Sequence, residues 1–417
     1  MAGQTPTTLE GKGMRLADFA PETADFYQRD PDTAFARLRA DDPVHWYEDG
    51  QFWCITRHED IRAVSRAPRL FSSARGLLMF QIPVAREGME LHTAGIESAN
   101  TILEMDPPEH IRHRRLVTSA FKPSYVQHLQ TRIREIARST LDACDPTGEV
   151  DFVEQVAVPL PMLVIAEMIG VPGDDVAMFR QWSDSIIEVG GGGGDEQSAE
   201  HLAELWAYLG VRVEEHRSSP RDDIITLLLD AEIDGERLSE DDLLMFLMTL
   251  LVAGNETTRN LIAGGARALA EHPDQRVWLA EDLSRIPVAV EEMLRWVSPV
   301  RSFVRCATAD TTVGGTAISE GDYLVLFYGS ANRDEVVFGD SADRFDASRA
   351  DANRHLAFGI GEHHCLGAAL ARMEAQVMFE ELLERFPTWE RAGEVEPLES
   401  CLMNGLTRMP VRLQTSR

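Results

Sequence analysis

Apolar residues recur every three or four positions along most of the chain, as in Y-V-Q-H-L-Q-T-R-I-R-E-I-A from Tyr125, and that period marks one face of a helix. Strand patterns are confined to two places. Val44 to Thr56, V-H-W-Y-E-D-G-Q-F-W-C-I-T, sets aromatic and β-branched residues on either side of Asp49-Gly50, a dipeptide suited to a tight hairpin turn. Thr311 to Phe327 predicts a second hairpin. The chain shows no internal repeat, and the pattern predicts a mainly α fold with small β-sheets (α+β). Five consecutive glycines, Gly190 to Gly194, separate helical patterns over about 174–188 and 198–216. That much backbone freedom predicts a mobile surface connection, either a tolerated insertion or the hinge of a lid.

The longest helical pattern starts at Ser239, an N-cap residue followed by Glu240, Asp241 and Asp242, and runs to Glu271, where Pro273 stops it. At 1.5 Å per residue it spans about 48 Å, enough to cross a whole domain. Its first half, L-L-M-F-L-M-T-L-L-V-A-G from Leu243, is apolar nearly all round and therefore buried, but at about a dozen residues it is too short to cross a bilayer. Ala253 to Thr258 then reads A-G-N-E-T-T. Glycine, two threonines and a carboxylate are poor choices inside a buried helix unless the spot is used. A threonine hydroxyl can bond back to a carbonyl one turn earlier, and beside Gly254 the helix is expected to widen into a groove for water or a small polar ligand.

Composition narrows the function. The 417 residues include 44% apolar and 26% charged ones, so a large core can form. Length alone would suggest two or three domains. A net charge of −29 argues against a nucleic-acid partner, whose phosphates need clustered Lys and Arg. The five cysteines, Cys54, Cys144, Cys306, Cys365 and Cys401, are odd in number and widely spaced, which predicts a reducing compartment without disulfides. The N-terminal residues lack the apolar run of a signal peptide. A cytoplasmic protein without a membrane anchor is expected.

The chemistry concentrates in F-G-I-G-E-H-H-C-L-G, Phe358 to Gly367. Zinc would need three or four ligands at spacings that reach a tetrahedral centre, whereas His363, His364 and Cys365 are consecutive with no second cysteine pair nearby. A nucleophilic cysteine paired with His363 leaves the glycines without a purpose. Gly359, Gly361 and Gly367 make sense if they permit positive φ angles and bring backbone N–H groups and a flat cofactor close to one sulfur. L-G-A-A-L-A-R-M-E-A-Q-V after Cys365 starts a helix, whose N-terminal end favours a thiolate. This is the chemistry of a thiolate on heme iron.

Phe358, Gly361, Cys365 and Gly367 fit F-x-x-G-x-x-x-C-x-G, and the chain resembles bacterial, soluble cytochrome P-450 heme-thiolate monooxygenases. Three companions occur in the family's order. They are Asp106 to Arg115 (D-P-P-E-H-I-R-H-R-R, with its H-x-x-x-R), the A-G-N-E-T-T helix, and Glu292 to Arg295 (E-x-x-R). The likeness runs from Pro31 to Leu413. It implies one mainly helical domain over residues 1–417, crossed by the long helix over the heme, with residues 1–30 as a loosely packed extension.

The resemblance also implies roles. Cys365 would be the axial thiolate of heme b and the metal ligand, with Phe358, Gly359 and Gly254 against the cofactor and dioxygen as co-substrate. His110, Arg114, Arg305 and His363 would meet its propionates, with His364 facing elsewhere. Glu256 and Thr257 resemble the acid–alcohol pair that delivers protons during oxygen activation, while Thr258 packs. Glu292 and Arg295 would form an ion network with Arg344 beneath the cysteine loop. Ala253, Val300, Phe303, Leu402 and Met403 would line a pocket for a small apolar substrate, with the segment from Gly76 as a further wall.

Electrons would come from a separate ferredoxin and its NAD(P)H-dependent reductase, docking on a monomer near Arg112, Arg115 and Arg372. A-G-N-E-T-T-R-N resembles members acting on sterols and branched lipids, although a terpenoid or polyketide would also fit. An atypical oxidation such as epoxidation or carbon–carbon coupling is the alternative within the family. Outside it stands a helical protein without heme that binds lipid or zinc.

Overall fold

The computed structural model describes residues 18–88, 101–121, 123–145, 148–190 and 196–415. Helices dominate. Those that position the site are α1 (Glu109–Ala120), α2 (Pro123–Asp142), α3 (Pro159–Ile169), α4 (Glu240–Glu271), α5 (Ile286–Val297) and α6 (Ala368–Arg385). Among the described residues no helix is long and apolar enough to cross a membrane.

The long helix begins where its sequence predicts. The Ser239 hydroxyl accepts from Asp242 N at 3.1 Å, and the Asp242 carboxylate accepts from Ser239 N at 3.3 Å, a reciprocal cap that satisfies two free donors. Pro273, in the first turn of the next helix, closes the run. Leu243, Leu247, Leu251, Leu261, Ile262 and Leu269 are buried, and α4 packs against α3, α5 and α6 at the centre of the largest core. The expected widening at Gly254 does not interrupt the helix, which is α-helical throughout. Gly254 instead admits a neighbour, since a Cβ there would lie 2.7 Å from Ile165 Cδ1 on α3.

A five-stranded sheet covers the other side. Its strands are β1 (Val44–Tyr47), β2 (Phe52–Ile55), β3 (Phe71–Ser72), β4 (Ser302–Ala307) and β5 (Tyr323–Phe327), in the order β1-β2-β5-β4-β3. The β1–β2 hairpin forms around Asp49-Gly50, with Val44 opposite Ile55 and Tyr47 opposite Phe52, but its loop spans the four residues from Glu48 to Gln51 and the left-handed backbone is at Gln51, φ 56°, in place of a tight two-residue turn. The second hairpin is shorter than expected. Thr311–Val313 pairs with Thr316–Ile318, and β5 leaves this hairpin to become a central strand, parallel to β2 and antiparallel to β4. Every residue of β5 is buried, so its apolar run belongs in the sheet interior.

Residues 18–30 are not the loose extension expected. Phe19 is buried against Phe26, Phe35 and Tyr47 in edge-to-face contacts at 5.1, 5.8 and 5.7 Å. Arg301 lies over the Tyr27 ring at 4.1 Å. Aromatic burial therefore fixes the segment to the sheet. Of the glycine run, Gly191 to Gly194 lie outside the described residues.

Candidate active site

A cavity of about 870 Å³ lies between α4, β4 and the loop carrying Cys365. Leu77, Leu78, Ala253, Val300, Phe303, Leu402 and Met403 line it, so the expected pocket residues and the segment after Gly76 do share one chamber. Two backbone ties set these walls. Val304 N donates to Leu77 O at 2.8 Å, and a β-bridge joins Val300 to Met403. The docked N-terminal segment contributes Ala24.

Cys365 stands at one wall. Its exposed surface faces this chamber, and burial within the protein pushes its thiol pKa up. The Gly367 N–H, Arg114 and Arg372 pull in the opposite direction by favouring the thiolate. Cys365 N donates to Phe358 O at 2.9 Å, closing the loop. Two of the three glycines have left-handed backbones, Gly359 at φ 63° and Gly361 at φ 81°. At Gly361 a Cβ would also lie 2.3 Å from the Ser65 carbonyl oxygen, so that position excludes a side chain twice over. Gly367 differs from expectation, with an ordinary φ of −82°. It lines the chamber with open space where a side chain would project.

Basic groups gather beside the loop. Arg114, Arg305 and His363 line the chamber, while His110 is 1% exposed and stacks on the His363 ring at 4.1 Å. Arg114 donates to the His364 carbonyl at 2.6 Å, Arg305 to the Val304 carbonyl at 2.7 Å, and His363 Nε2 lies 3.2 Å from Ser73 Oγ. Neither ring nitrogen of His110 has a hydrogen-bond partner. Burial, then the neighbouring arginines, push the His110 pKa down to about 4 and that of His363 to about 3. Glu362 is a carboxylate beside this set, with its Oε2 4.0 Å from His110 Nδ1 and beyond hydrogen-bond reach, so the donors facing the chamber suit an anionic group. His364 is not among the lining residues.

Glu256 and Thr257 both line the chamber but bond in opposite directions along α4. Thr257 Oγ1 donates back to Ala253 O at 2.7 Å, as a mid-helix threonine is expected to. Glu256, 2% exposed, accepts from Arg259 and from Asn260 Nδ2 at 3.1 Å, one turn ahead, while its Oε2 has no protein partner. Thr258 is buried.

The ion network beneath the loop has a different third member. Glu292 meets Arg295 through two bonds of 2.6 and 2.7 Å and Arg349 Nε at 3.2 Å. Arg344 is exposed and supplies only its carbonyl to Arg295, at 2.9 Å. Both arginines lie in the segment after Asp343, and only packing selects between them. Glu374 on α6 is a further group that the sequence reading missed. It lines the chamber with its Oε2 buried and unpartnered, and burial pushes its pKa up to about 8, so it is largely protonated at neutral pH. Its place, nine residues after Cys365 on the following helix, was the available signal.

Among the described residues no group of three or more His, Cys, Asp and Glu gathers as a metal site. Comparison with known proteins shows the family. The family model described as Cytochrome P450 matches residues 195–416. A steroid C26-monooxygenase of Mycolicibacterium smegmatis is 36% identical over 409 residues, covering 94% of this chain and 93% of that protein.

The chain is a cytochrome P450.

Solved P450 structures agree. CYP109Q5 from Chondromyces apiculatus superposes with a TM-score of 0.83 at 38% identity, covering 93% of this chain and 96% of that one. CYP109E1 from Bacillus megaterium, solved with testosterone, gives 0.81 at 32% identity, covering 92% and 99%. Membership makes this protein a monooxygenase that uses dioxygen through a heme held by a cysteine thiolate. The residues of this P450 fit that group. The Cys365 thiol opens into the chamber, Gly367 leaves room beside it, and His110 presents two nitrogens without hydrogen-bond partners next to Arg114, Arg305 and His363.

Proposed function

We propose that this P450 inserts one oxygen atom of dioxygen into an apolar, sterol-like molecule, with electrons supplied by a separate ferredoxin and its NAD(P)H-dependent reductase. Heme b is the proposed cofactor; Cys365 would hold its iron, and His110, Arg114, Arg305 and His363 would meet its carboxylates. The observation that carries the reading is the apolar chamber opening onto the Cys365 sulfur. Leu77, Val300, Phe303 and Leu402 offer a broad hydrocarbon wall, which favours a rigid apolar skeleton over a charged one. The steroid C26-monooxygenase relative and the testosterone-bound neighbour support the choice of a sterol-like class.

When bound, the heme supplies the dioxygen chemistry, with the thiolate favouring O–O cleavage. The protein's own part is to place the substrate, exclude bulk water and move protons. Thr257 Oγ1 faces the chamber and is the group from which a proton is passed on. Glu256 can resupply it through water once its carboxylate leaves Arg259, since its Oε2 is already free of protein partners.

A spectral titration of the ferric protein with sterols, steroids, fatty acids and terpenes tests the substrate class. Saturable high-spin shifts with sterols or steroids are expected, whereas shifts produced only by fatty acids or terpenes would overturn it. Thr257→Ala is expected to retain the cofactor and consume reductant, while product per NAD(P)H falls about tenfold or more and hydrogen peroxide accumulates. Coupling equal to wild type would remove Thr257 from the relay.

A further inference from the structure

Of the three arginines expected to receive an electron donor, none is free. Arg372 is held by Glu291 through two bonds of 2.6 and 2.9 Å and stacks over Phe358 at 4.5 Å, so it belongs to the cysteine loop's own support. Arg112 and Arg115, on the outer face of α1, are taken by one small structure, the turn E-I-D-G-E-R from Glu232 to Arg237. Arg115 Nη1 lies 3.2 Å from Asp234 Oδ2, and Arg112 Nε lies 3.7 Å from Glu236 Oε2.

The turn is preformed. Ile233 and Glu236 exchange both backbone hydrogen bonds at 3.0 Å, and Asp234 and Gly235 take positive φ angles of 57° and 83°, as an Asp-Gly hairpin turn requires. Its first carboxylate is spoken for, because Glu232 pairs with Arg237 at 2.7 Å. Asp234 and Glu236 are therefore the two acids presented to α1. All four side chains of this contact remain accessible, from 52% exposed at Arg112 to 78% at Asp234. Exposed pairs of this kind are weak and readily exchanged.

The location matters because Arg114, between the two arginines in sequence, bonds to the His364 carbonyl beside Cys365. On another side of the same loop, Gly361 abuts the Ser65 carbonyl at the end of helix His58–Ser65. There burial, with Arg66 and Arg354 nearby, lowers the Arg62 pKa, and Arg354 donates to the Val337 carbonyl at 3.0 Å. An acidic partner thus meets cations on both flanks of the loop, and those on α1 are covered by carboxylates of the turn.

Resting on the proposal that a ferredoxin supplies the electrons, we infer that the Glu232–Arg237 turn is a built-in competitor for that acidic donor. It occupies Arg112 and Arg115 until the donor displaces it, which weakens binding and ties the site to contacts with a correctly shaped acidic surface.

The test uses heme-loaded full-length protein titrated with a purified bacterial [2Fe–2S] ferredoxin at low ionic strength. Asp234→Asn/Glu236→Gln keeps the turn, since asparagine tolerates the left-handed backbone at 234. Its expected Kd is about three- to tenfold below wild type, a gain that vanishes at about 0.5 M salt. In an Arg112→Gln/Arg115→Gln background the same neutralisation should change nothing. Unchanged or weaker binding by the neutral turn would overturn the inference, as would equal tightening without the arginines, which would mean a general charge effect. The carbon monoxide band of each variant reports the cysteine site separately. If wild type and variant both fail to bind ferredoxin while that band is normal, the partner proposal falls and the inference with it. If wild type binds and the variant binds no tighter, only the competitor role falls.

Discussion

Cys365→Ala is expected to yield a folded protein without the thiolate band in its reduced carbon monoxide difference spectrum and without measurable monooxygenase activity. The side chain faces the chamber, so its truncation opens no void in the core, and the apoprotein should unfold within about 0.5 kcal/mol of wild-type apoprotein. Any larger difference between the loaded proteins would reflect lost binding of the cofactor to the native state.

A second thiol, Cys401, lines the same chamber and makes the test discriminating. Burial raises the pKa of both thiols. Only Cys365 follows the left-handed glycines Gly359 and Gly361, with Arg114 and Arg372 both favouring its thiolate. Cys401→Ala should therefore leave the thiolate band intact. A normal band in Cys365→Ala, or its loss in Cys401→Ala, would refute the ligand assignment.

The second large effect is expected from Glu292→Ala, through stability rather than chemistry. Glu292 and Arg295 are both 0% exposed. Arg295 uses all five of its N–H donors, with Nε and one Nη2 bond to Glu292 and the others to the carbonyls of Asn332, Ala342 and Arg344. Glu292 also accepts from Asp346 N at 2.8 Å and pairs with Arg349. Removing the carboxylate leaves two buried guanidinium groups without their anion, a change that costs about 3–5 kcal/mol.

The damage should reach the cysteine loop. The Asn332 side chain, beyond the carbonyl held by Arg295, bonds Ser298 Oγ at 2.8 Å and accepts from Leu356 N at 2.6 Å, two residues before Phe358. Glu292→Ala should consequently lower the unfolding midpoint in urea and also the heme content of purified protein. Arg344→Ala should do neither, because its backbone carbonyl survives the substitution. Equal loss in the Arg344 variant would contradict the assignment of Arg349 as the third charge.

Features set by neighbours in sequence were readable without a structure. The cap at Ser239 and the back-bonded Thr257 depend on contacts within four residues, and the hairpin around Asp49-Gly50 joins neighbouring segments, so residue type and spacing largely dictate their geometry. The purpose of the Phe358–Gly367 loop was legible for a related reason. A thiol, three nearby glycines and a following helical pattern leave few chemical options, and the companion motifs resembled one family.

Choices among equivalent residues were decided by tertiary packing. Arg344 and Arg349 are the same side chain five positions apart, and only the latter is directed into the core to meet Glu292. Arg112 and Arg115 read as free cations in the sequence, yet a turn more than a hundred residues away supplies their counter-charges. Phe19 and Phe26 looked like part of a tail until the sheet offered an aromatic surface to bury them. Sequence patterns determine what each segment can form and which chemistry it carries. The partner each charge or ring finds is a long-range contact, fixed when burial brings distant segments together and makes every unpaired charge costly.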